Sequence, residues 1–177
     1  MRLSLVLDIS KAVVAMYVGV FCVLVSYNNV IDYNTNFQFV QHVLAMDQMK
    51  AFFTGDNLYG RAITSPTLHT VFYNLIIALE FLAGALCVIG AVIMFFKREA
   101  AGFSKGQAFY VAGVTVALGV WYFGFGVVGA EWFSMWANSW NGQMKAYTFA
   151  MFIILTLIYV LMPCLLYTSP SPRDRNV

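Results

Sequence analysis

Charged residues are scarce in this sequence. Asp, Glu, Lys and Arg make up 10% of its 177 residues, whereas 61% are hydrophobic. A soluble domain carries about 25% charged residues, which keep its surface hydrated. Because so few charges cannot cover a water-facing surface, the composition argues against a soluble protein and predicts a protein embedded in the lipid bilayer. The net charge of +2 is also too small to indicate a nucleic-acid partner.

Sequence signatures of catalysis and of metal binding are missing as well. The chain lacks a Gly-rich phosphate loop, a Cys-x-x-Cys pair, a His-Glu-x-x-His motif and a serine-nucleophile motif. Of the three cysteines, Cys22 and Cys87 lie within apolar runs, so we expect neither a disulfide framework nor a zinc site. We therefore expect a protein that is not an enzyme and that has no bound cofactor.

The sequence does contain four long apolar runs, each able to supply the roughly 20 helical residues that cross a bilayer. They cover residues 12–31, 66–96, 106–130 and 143–162. The first run follows Arg2 and Lys11, as a signal peptide would. No small-x-small cleavage site ends it, so we interpret it as a retained span. The predicted fold is all-α, a four-helix transmembrane bundle formed by one domain, residues 1–163.

Two short motifs predict where helices begin. Ser65 followed by Pro66 predicts the start of the second span, because serine caps helices and proline suits the first helical position. Ser104 and Gln107 have the spacing of a capping box, which predicts that the third span starts near Gly106.

The segment between the first two spans, residues 28–64, is too long for a simple connection. Phe37, Val40 and Leu44 recur at helical spacing among polar residues, which predicts an amphipathic helix over roughly Phe37 to Phe52. Such a helix lies in the membrane interface with its apolar face in the lipid. His42 falls within it, and an interfacial histidine is the favoured interpretation over a ligand.

Positive charges indicate the orientation, because Lys and Arg accumulate in cytoplasmic loops. Five of them flank one side of the predicted bundle and three the other: Arg2, Lys11, Lys97, Arg98 and Lys105 against Lys50, Arg61 and Lys145. We therefore expect both termini in the cytoplasm. Trp132, Trp136 and Trp140 then fit the aromatic belt of the outer surface.

The end of the chain has a different character. The sequence from Cys164 to Asp174 resembles an in-frame translation of a sequencing adapter. The alternative is a natural cytoplasmic tail rich in proline and serine. On the first interpretation, residues 164–177 are an adapter-derived tail, the native C-terminus is lost just after Pro163, and Cys164 has no chemical role.

Acidic residues at the ends of apolar runs are the main indication of function. At 100° per residue, Glu80 shares one face of the second span with His69 and Tyr73 and with several small residues. Small residues permit close packing of helices, which places this face in the bundle interior. Glu131 ends a similar face of glycine and alanine on the third span. α-Helical geometry therefore predicts that the two acids converge at the outer end of the bundle.

Together these residues predict a polar pocket that opens outward. Its candidate binding residues are Glu80, Glu131, His69 and Tyr73, with Arg61 as a counter-charge and His42 nearby. The favoured function is non-enzymatic: binding of a small solute, ion or lipid, or service as an accessory subunit in a membrane assembly or homo-oligomer. The alternative is a membrane redox protein that uses haem or quinone, for which two histidines are the minimum. A purely structural role for the acids carries equal weight, with Glu80 protonated and hydrogen-bonded and Glu131 ion-paired.

Three stretches carry a family resemblance. They are Asn28 to Asp47, Arg61 to His69 with Glu80, and Gly129 to Gly142, which contains Glu131-Trp132-Phe133 and Trp140-Asn141-Gly142. The sequence resembles a family of predicted small integral membrane proteins of bacteria, defined as a domain of unknown function. The resemblance covers essentially Met1 to Pro163. It implies a four-span protein of the bacterial inner membrane and no particular activity.

The predicted orientation can be tested by labelling in intact cells. A cysteine introduced at Asn57 should react with a membrane-impermeant thiol reagent from outside, because the segment before the second span is predicted to be external. A cysteine introduced at Gly102 should stay unlabelled until the membrane is opened. The opposite labelling pattern would reverse the assigned orientation.

Overall fold

Five α-helices make up most of the computed structural model, which describes residues 3–98 and 100–162. They are α1 (Leu3–Ile31), α2 (Tyr33–Ala45), α3 (Pro66–Phe96), α4 (Ala100–Leu118) and α5 (Gln143–Leu161). A π-helix, Gly119–Trp132, continues α4 without a break. Short 3-10 helices cover Asp56–Arg61 and Met135–Ala137, and an isolated antiparallel bridge joins Met49 to Asn138.

Four helices in the described part of the chain are long and apolar enough to cross a membrane: α1, α3, α4 with its π continuation, and α5. This confirms the predicted all-α, four-span architecture. The spans predicted at 66–96 and 143–162 match α3 and α5 to within one residue. The adapter-like tail predicted at 164–177 lies outside the described residues.

The first span begins earlier than the sequence predicted, at Leu3 instead of residue 12. Two polar residues in this first part of α1, Ser10 and Lys11, find partners on α5 and at the residue that follows it, which is why the helix accommodates them. The Ser10 hydroxyl lies 2.8 Å from the Tyr159 hydroxyl, and the Lys11 ammonium donates to the Met162 carbonyl. A charged residue with a partner at the end of a bundle does not mark the end of its helix.

The two predicted helix starts have different outcomes. Ser65 does cap α3, and its hydroxyl accepts a hydrogen bond from the Leu68 amide at 3.5 Å, with Pro66 at the first helical position. The capping box at Ser104 and Gln107 is wrong, because α4 already begins at Ala100. The side chain of Gln107 instead donates to the Val160 carbonyl on α5 at 2.9 Å. The Gln107 side chain thus makes a contact between two helices, although local spacing assigned it to the N-terminus of one helix.

The four spans form a closed ring in which α3 packs against α1 and α4, and α5 packs against the same two helices from the other side. Small residues let the backbones approach closely. A Cβ atom added to Gly84 would lie 2.8 Å from the Val23 backbone nitrogen on α1. A Cβ atom added to Gly90 would lie 2.6 Å from the Gly106 carbonyl oxygen on α4. The two interfaces of α3 therefore depend on glycine at these positions.

Residues 33–65 and 133–142 fold over one end of the bundle, and we call them the cap. Backbone hydrogen bonds join its two parts, from Lys50 to the Ala137 carbonyl and from Ser139 to the Gln48 carbonyl. Val43, Met46 and Met135 are buried in a small core of their own at this end. The cap is thus a folded layer rather than two loose connections.

The amphipathic helix predicted over Phe37 to Phe52 forms four residues earlier, as α2, and stops at Ala45. Met46 ends it with a left-handed backbone (φ 51°). Its apolar face packs on protein, since Val40 and Val43 are buried at the end of the bundle. The sequence predicted a face buried in lipid because helical periodicity reports an apolar face without reporting what covers it.

The π-helix changes the course of the third span. Its hydrogen bonds reach one residue further than those of an α-helix, which widens the turn and rotates the side chains that follow. From Gly119 onward the span packs mainly against α5 and little against α3. The Tyr147 hydroxyl on α5 donates to the Gly126 carbonyl at 3.0 Å. The third span therefore separates from α3 at the cap end.

The close packing of α3 on α4 predicts how a substitution at Gly90 changes the stability of the protein. Gly90→Ala should lower the melting temperature in detergent, because the new Cβ meets the backbone of α4 and overpacking costs about 1–3 kcal/mol. Gly119→Ala is the matched control, since a Cβ there meets nothing within 4 Å. Equal melting temperatures for the two variants would contradict the close α3–α4 contact.

Candidate functional site

A carboxyl group and an amide group meet between α1 and α3 just below the cap. Glu80 on α3 is 2% exposed, and Asn29 in the last turn of α1 is buried opposite it. The Asn29 amide nitrogen donates to one Glu80 carboxyl oxygen at 2.7 Å. A carboxyl group at this depth needs such a partner, because the apolar interior provides no water to solvate it.

Asn29 is the centre of a larger network. Its side-chain oxygen accepts a hydrogen bond from the Asn36 amide on α2 at 2.7 Å. Its backbone carbonyl, which lies too near the end of α1 for a full helical partner, accepts from the Tyr73 hydroxyl at 3.3 Å. The last turn of α1, the start of α2 and the middle of α3 are therefore held together through one residue.

Aromatic contacts support the same junction. The Tyr33 ring meets the Tyr73 ring edge-on, with centroids 4.7 Å apart, and the Tyr33 hydroxyl donates to the Asn74 side chain at 2.9 Å. Phe37 also packs against Tyr73. These contacts fix α2 against α3 and so fix the position of Asn36 relative to Glu80.

The network forms one wall of a cavity of about 400 Å³ that extends beneath the cap. Its polar lining includes Asn29, Asn36, Tyr73, Glu80, Asn141 and Lys145, and its aromatic lining includes Phe39, Trp121, Phe125, Trp140 and Phe149. The second Glu80 carboxyl oxygen has no hydrogen-bond partner among the described residues. No buried side-chain oxygen among the described residues lacks a hydrogen-bond partner, so this oxygen is not fully buried, and Glu80 is a lining residue of the cavity.

Of the predicted site residues, Glu80 and Tyr73 line this cavity and the other four do not. His69 is buried, and its Nε2 lies 2.6 Å from the Ile63 carbonyl oxygen, so it fastens the cap to the start of α3. His42 lies on α2, where its Nδ1 is 2.8 Å from an Asp47 carboxyl oxygen and its ring stacks on Trp140.

Glu131 and Arg61 both lie outside this cavity. Glu131 is exposed and lines a separate apolar groove, so the predicted convergence of the two acids does not occur. The prediction assumed α-helical periodicity along the whole third span, whereas the π-helix rotates the residues after Gly119. The Arg61 guanidinium lies over the Trp132 ring, 4.6 Å from its centroid, and forms no ion pair with Glu131.

Residue patterns did not identify two of the four polar residues in the network that lines the cavity. Asn29 and Asn36 were not among the predicted site residues, although they are seven residues apart and are the direct and indirect partners of Glu80. An available signal was the pair Asn28 and Asn29 in the last turn of a largely apolar span. Lys145, which the sequence placed only among the positive charges of the outer side, also lines the cavity.

The arrangement is suited to binding rather than to metal coordination. No three His, Cys, Asp or Glu side chains in the described residues are placed to share a metal ion. The wall provides one oriented carboxyl oxygen for a hydrogen-bond donor or a cation, and the aromatic rings provide apolar surfaces that also attract cations. These are the features of a small-molecule site with few polar contacts.

Comparison with known proteins adds the family. The chain matches the family described as "Predicted small integral membrane protein (DUF2165)" over residues 7–163, and it therefore belongs to that family. No curated protein and no solved structure matches the chain.

The network predicts an order of stabilities. Asn29→Ala should destabilise the protein by about 1–3 kcal/mol, because it leaves the buried Glu80 without its partner and also removes the hydrogen bond from Asn36. Ser26→Ala, one turn earlier on α1, removes a single hydrogen bond to the Ile77 carbonyl and should cost only about 0.5–1.5 kcal/mol. Thermal unfolding in one detergent measures both. Equal losses of stability in the two variants would show that Asn29 does not hold a network together.

Glu80 itself allows a sharper comparison. Glu80→Gln keeps the shape and an acceptor for Asn29, so stability should change little, whereas Glu80→Ala should cost about 1–3 kcal/mol. The same unfolding measurement applies. A large loss in Glu80→Gln would mean that the fold requires the carboxyl group itself.

Proposed function

We propose that this member of the small integral membrane protein family binds a small organic molecule with an amine group in the cavity beneath its cap. The observation that carries the proposal is that Glu80 lines the cavity while Asn29 bonds only one of its two carboxyl oxygens. We further propose that the cavity is reached from outside the cytoplasm, as the positive charges in the sequence favour.

The shape and lining of the cavity support an organic ligand over a bare ion. A volume of about 400 Å³ lies within the range of small-molecule pockets, roughly 300–1,000 Å³. Trp121, Phe125 and Trp140 present aromatic rings along the walls. Such rings attract an ammonium group electrostatically and also cover the apolar part of a ligand.

Charge supports the choice of an amine. Glu80 is the acidic residue of the lining, and its free oxygen accepts what an ammonium group donates. Lys145, an exposed residue of the lining, places a positive charge at another point of the same cavity. A ligand that also has an acidic group, as amino acids do, would therefore satisfy both charges.

The haem alternative needs imidazole ligands, and the positions of the histidines do not favour it. His69 is hydrogen-bonded to the Ile63 carbonyl and His42 to Asp47, and neither lines the cavity. The positions of the two histidines therefore favour a binding function over a haem-based one.

The proposal is tested with phenethylamine as the probe and phenylethyl alcohol as its neutral counterpart. Phenethylamine should raise the melting temperature of the detergent-solubilised protein, since a ligand at 100 times its Kd stabilises by about 2.7 kcal/mol. The alcohol should raise it much less. Glu80→Gln should remove the effect of the amine while the protein stays folded, and the exposed Asp56→Asn variant should retain it.

Two results would overturn the proposal. One is an amine effect that persists in Glu80→Gln, which would place the amine elsewhere. The other is the absence of any difference between amine and alcohol across a series of arylalkyl amines, which would show that the carboxyl group does not select the ligand.

A further inference from the structure

A second cavity lies on the opposite side of α2, between α3 and the π-helix. It is a groove of about 710 Å³. Phe39, Val43 and Leu44 of α2 form its floor, and residues of the two spans form its sides. Among the side residues, Leu75 is 50% exposed and Phe123 is 59% exposed. Because both belong to helices long and apolar enough to cross a membrane, we infer that the groove opens toward lipid.

The groove follows from the course of the third span. Below Gly119, α4 packs tightly on α3 through Gly90 and Gly106. Above Gly119, the π-helix packs on α5 and leaves α3 uncovered on that side. The space between the two spans is thus built into the backbone and does not depend on the rotamer of one side chain.

Two residues of opposite charge are found at one end of this apolar groove: Glu131 lines it, and Arg61 contacts Trp132, another lining residue. Glu131 and Trp132 line it where the third span reaches the cap. The Arg61 guanidinium lies over the Trp132 ring and donates to the Trp132 carbonyl at 3.5 Å, which leaves most of its N–H groups free. Neither Arg61 nor Glu131 forms an ion pair within the described residues.

We propose that this groove is a binding site for a phospholipid with a primary amine in its headgroup, as in phosphatidylethanolamine. The acyl chain would lie against the apolar floor and sides, the phosphate would bind Arg61, and the headgroup ammonium would bind Glu131. An amphipathic lipid matches this distribution of charge, in which one end is ionic and the remainder is apolar. Guanidinium is well suited to phosphate because it donates in a planar fork.

The site is separate from the cavity that contains Glu80, and the proposal does not depend on the function proposed for that cavity. The ligand reaches it from within the bilayer and not through the cap. The two sites therefore respond to different substitutions.

Native mass spectrometry tests the lipid site. The detergent-solubilised protein is mixed with phosphatidylethanolamine, phosphatidylcholine or phosphatidylglycerol of identical acyl chains. Phosphatidylethanolamine should bind about tenfold more tightly than phosphatidylcholine, whose quaternary ammonium cannot donate a hydrogen bond to Glu131. Glu131→Gln should abolish this preference, and Arg61→Gln should weaken binding of all three lipids.

Two further variants separate the groove from the protein surface in general. Lys50→Gln removes an exposed positive charge of the cap that does not line the groove, and it should leave lipid binding unchanged. Val127→Trp fills the groove and should weaken the binding of all three lipids. Melting temperatures close to that of the unsubstituted protein show that each variant is folded.

Three outcomes would overturn the proposal. Equal binding of the three lipids in the unsubstituted protein would show that the headgroup is not recognised. Undiminished lipid binding in Val127→Trp would place the lipid elsewhere. A dimer that is lost in Val127→Trp would assign the groove to a second copy of the chain.

Discussion

A carboxyl group inside a membrane protein must find its hydrogen-bond partners within the protein, and Glu80 imposes that requirement here. The Asn29 side-chain nitrogen donates to Glu80. The side-chain oxygen of Asn29 accepts a hydrogen bond from Asn36, and its backbone carbonyl accepts one from Tyr73. The junction of α1, α2 and α3 is organised around this need. The position of α2 then determines both the roof of one cavity and the floor of the other.

The sequence predicted the parts of the fold that depend on hydrophobic length. Runs of apolar residues gave the four spans, and the serine and proline before Thr67 gave the start of α3 correctly. It did not predict the start of α1, because nothing local shows that Lys11 has a partner just after the end of α5. The capping box failed for the same reason, since Gln107 is used across the bundle.

The site was predicted in part. Helical periodicity placed Glu80 and Tyr73 on an interior face of α3, where they lie. Periodicity failed for Glu131 because the number of residues per turn changes at Gly119, and no residue pattern indicated that change. It also could not identify Asn29 as the partner of Glu80, because that contact joins residues 51 positions apart in different spans.

Phe39, Val40, Ile76 and Phe125 line both cavities, so they form a partition with a different chemical environment on each side. One surface of this partition faces the polar network and the other faces the lipid-exposed groove. A change in the volume of any of these four side chains therefore alters both spaces at once. In genetic terms these positions are pleiotropic: neither cavity can be reshaped through them independently of the other.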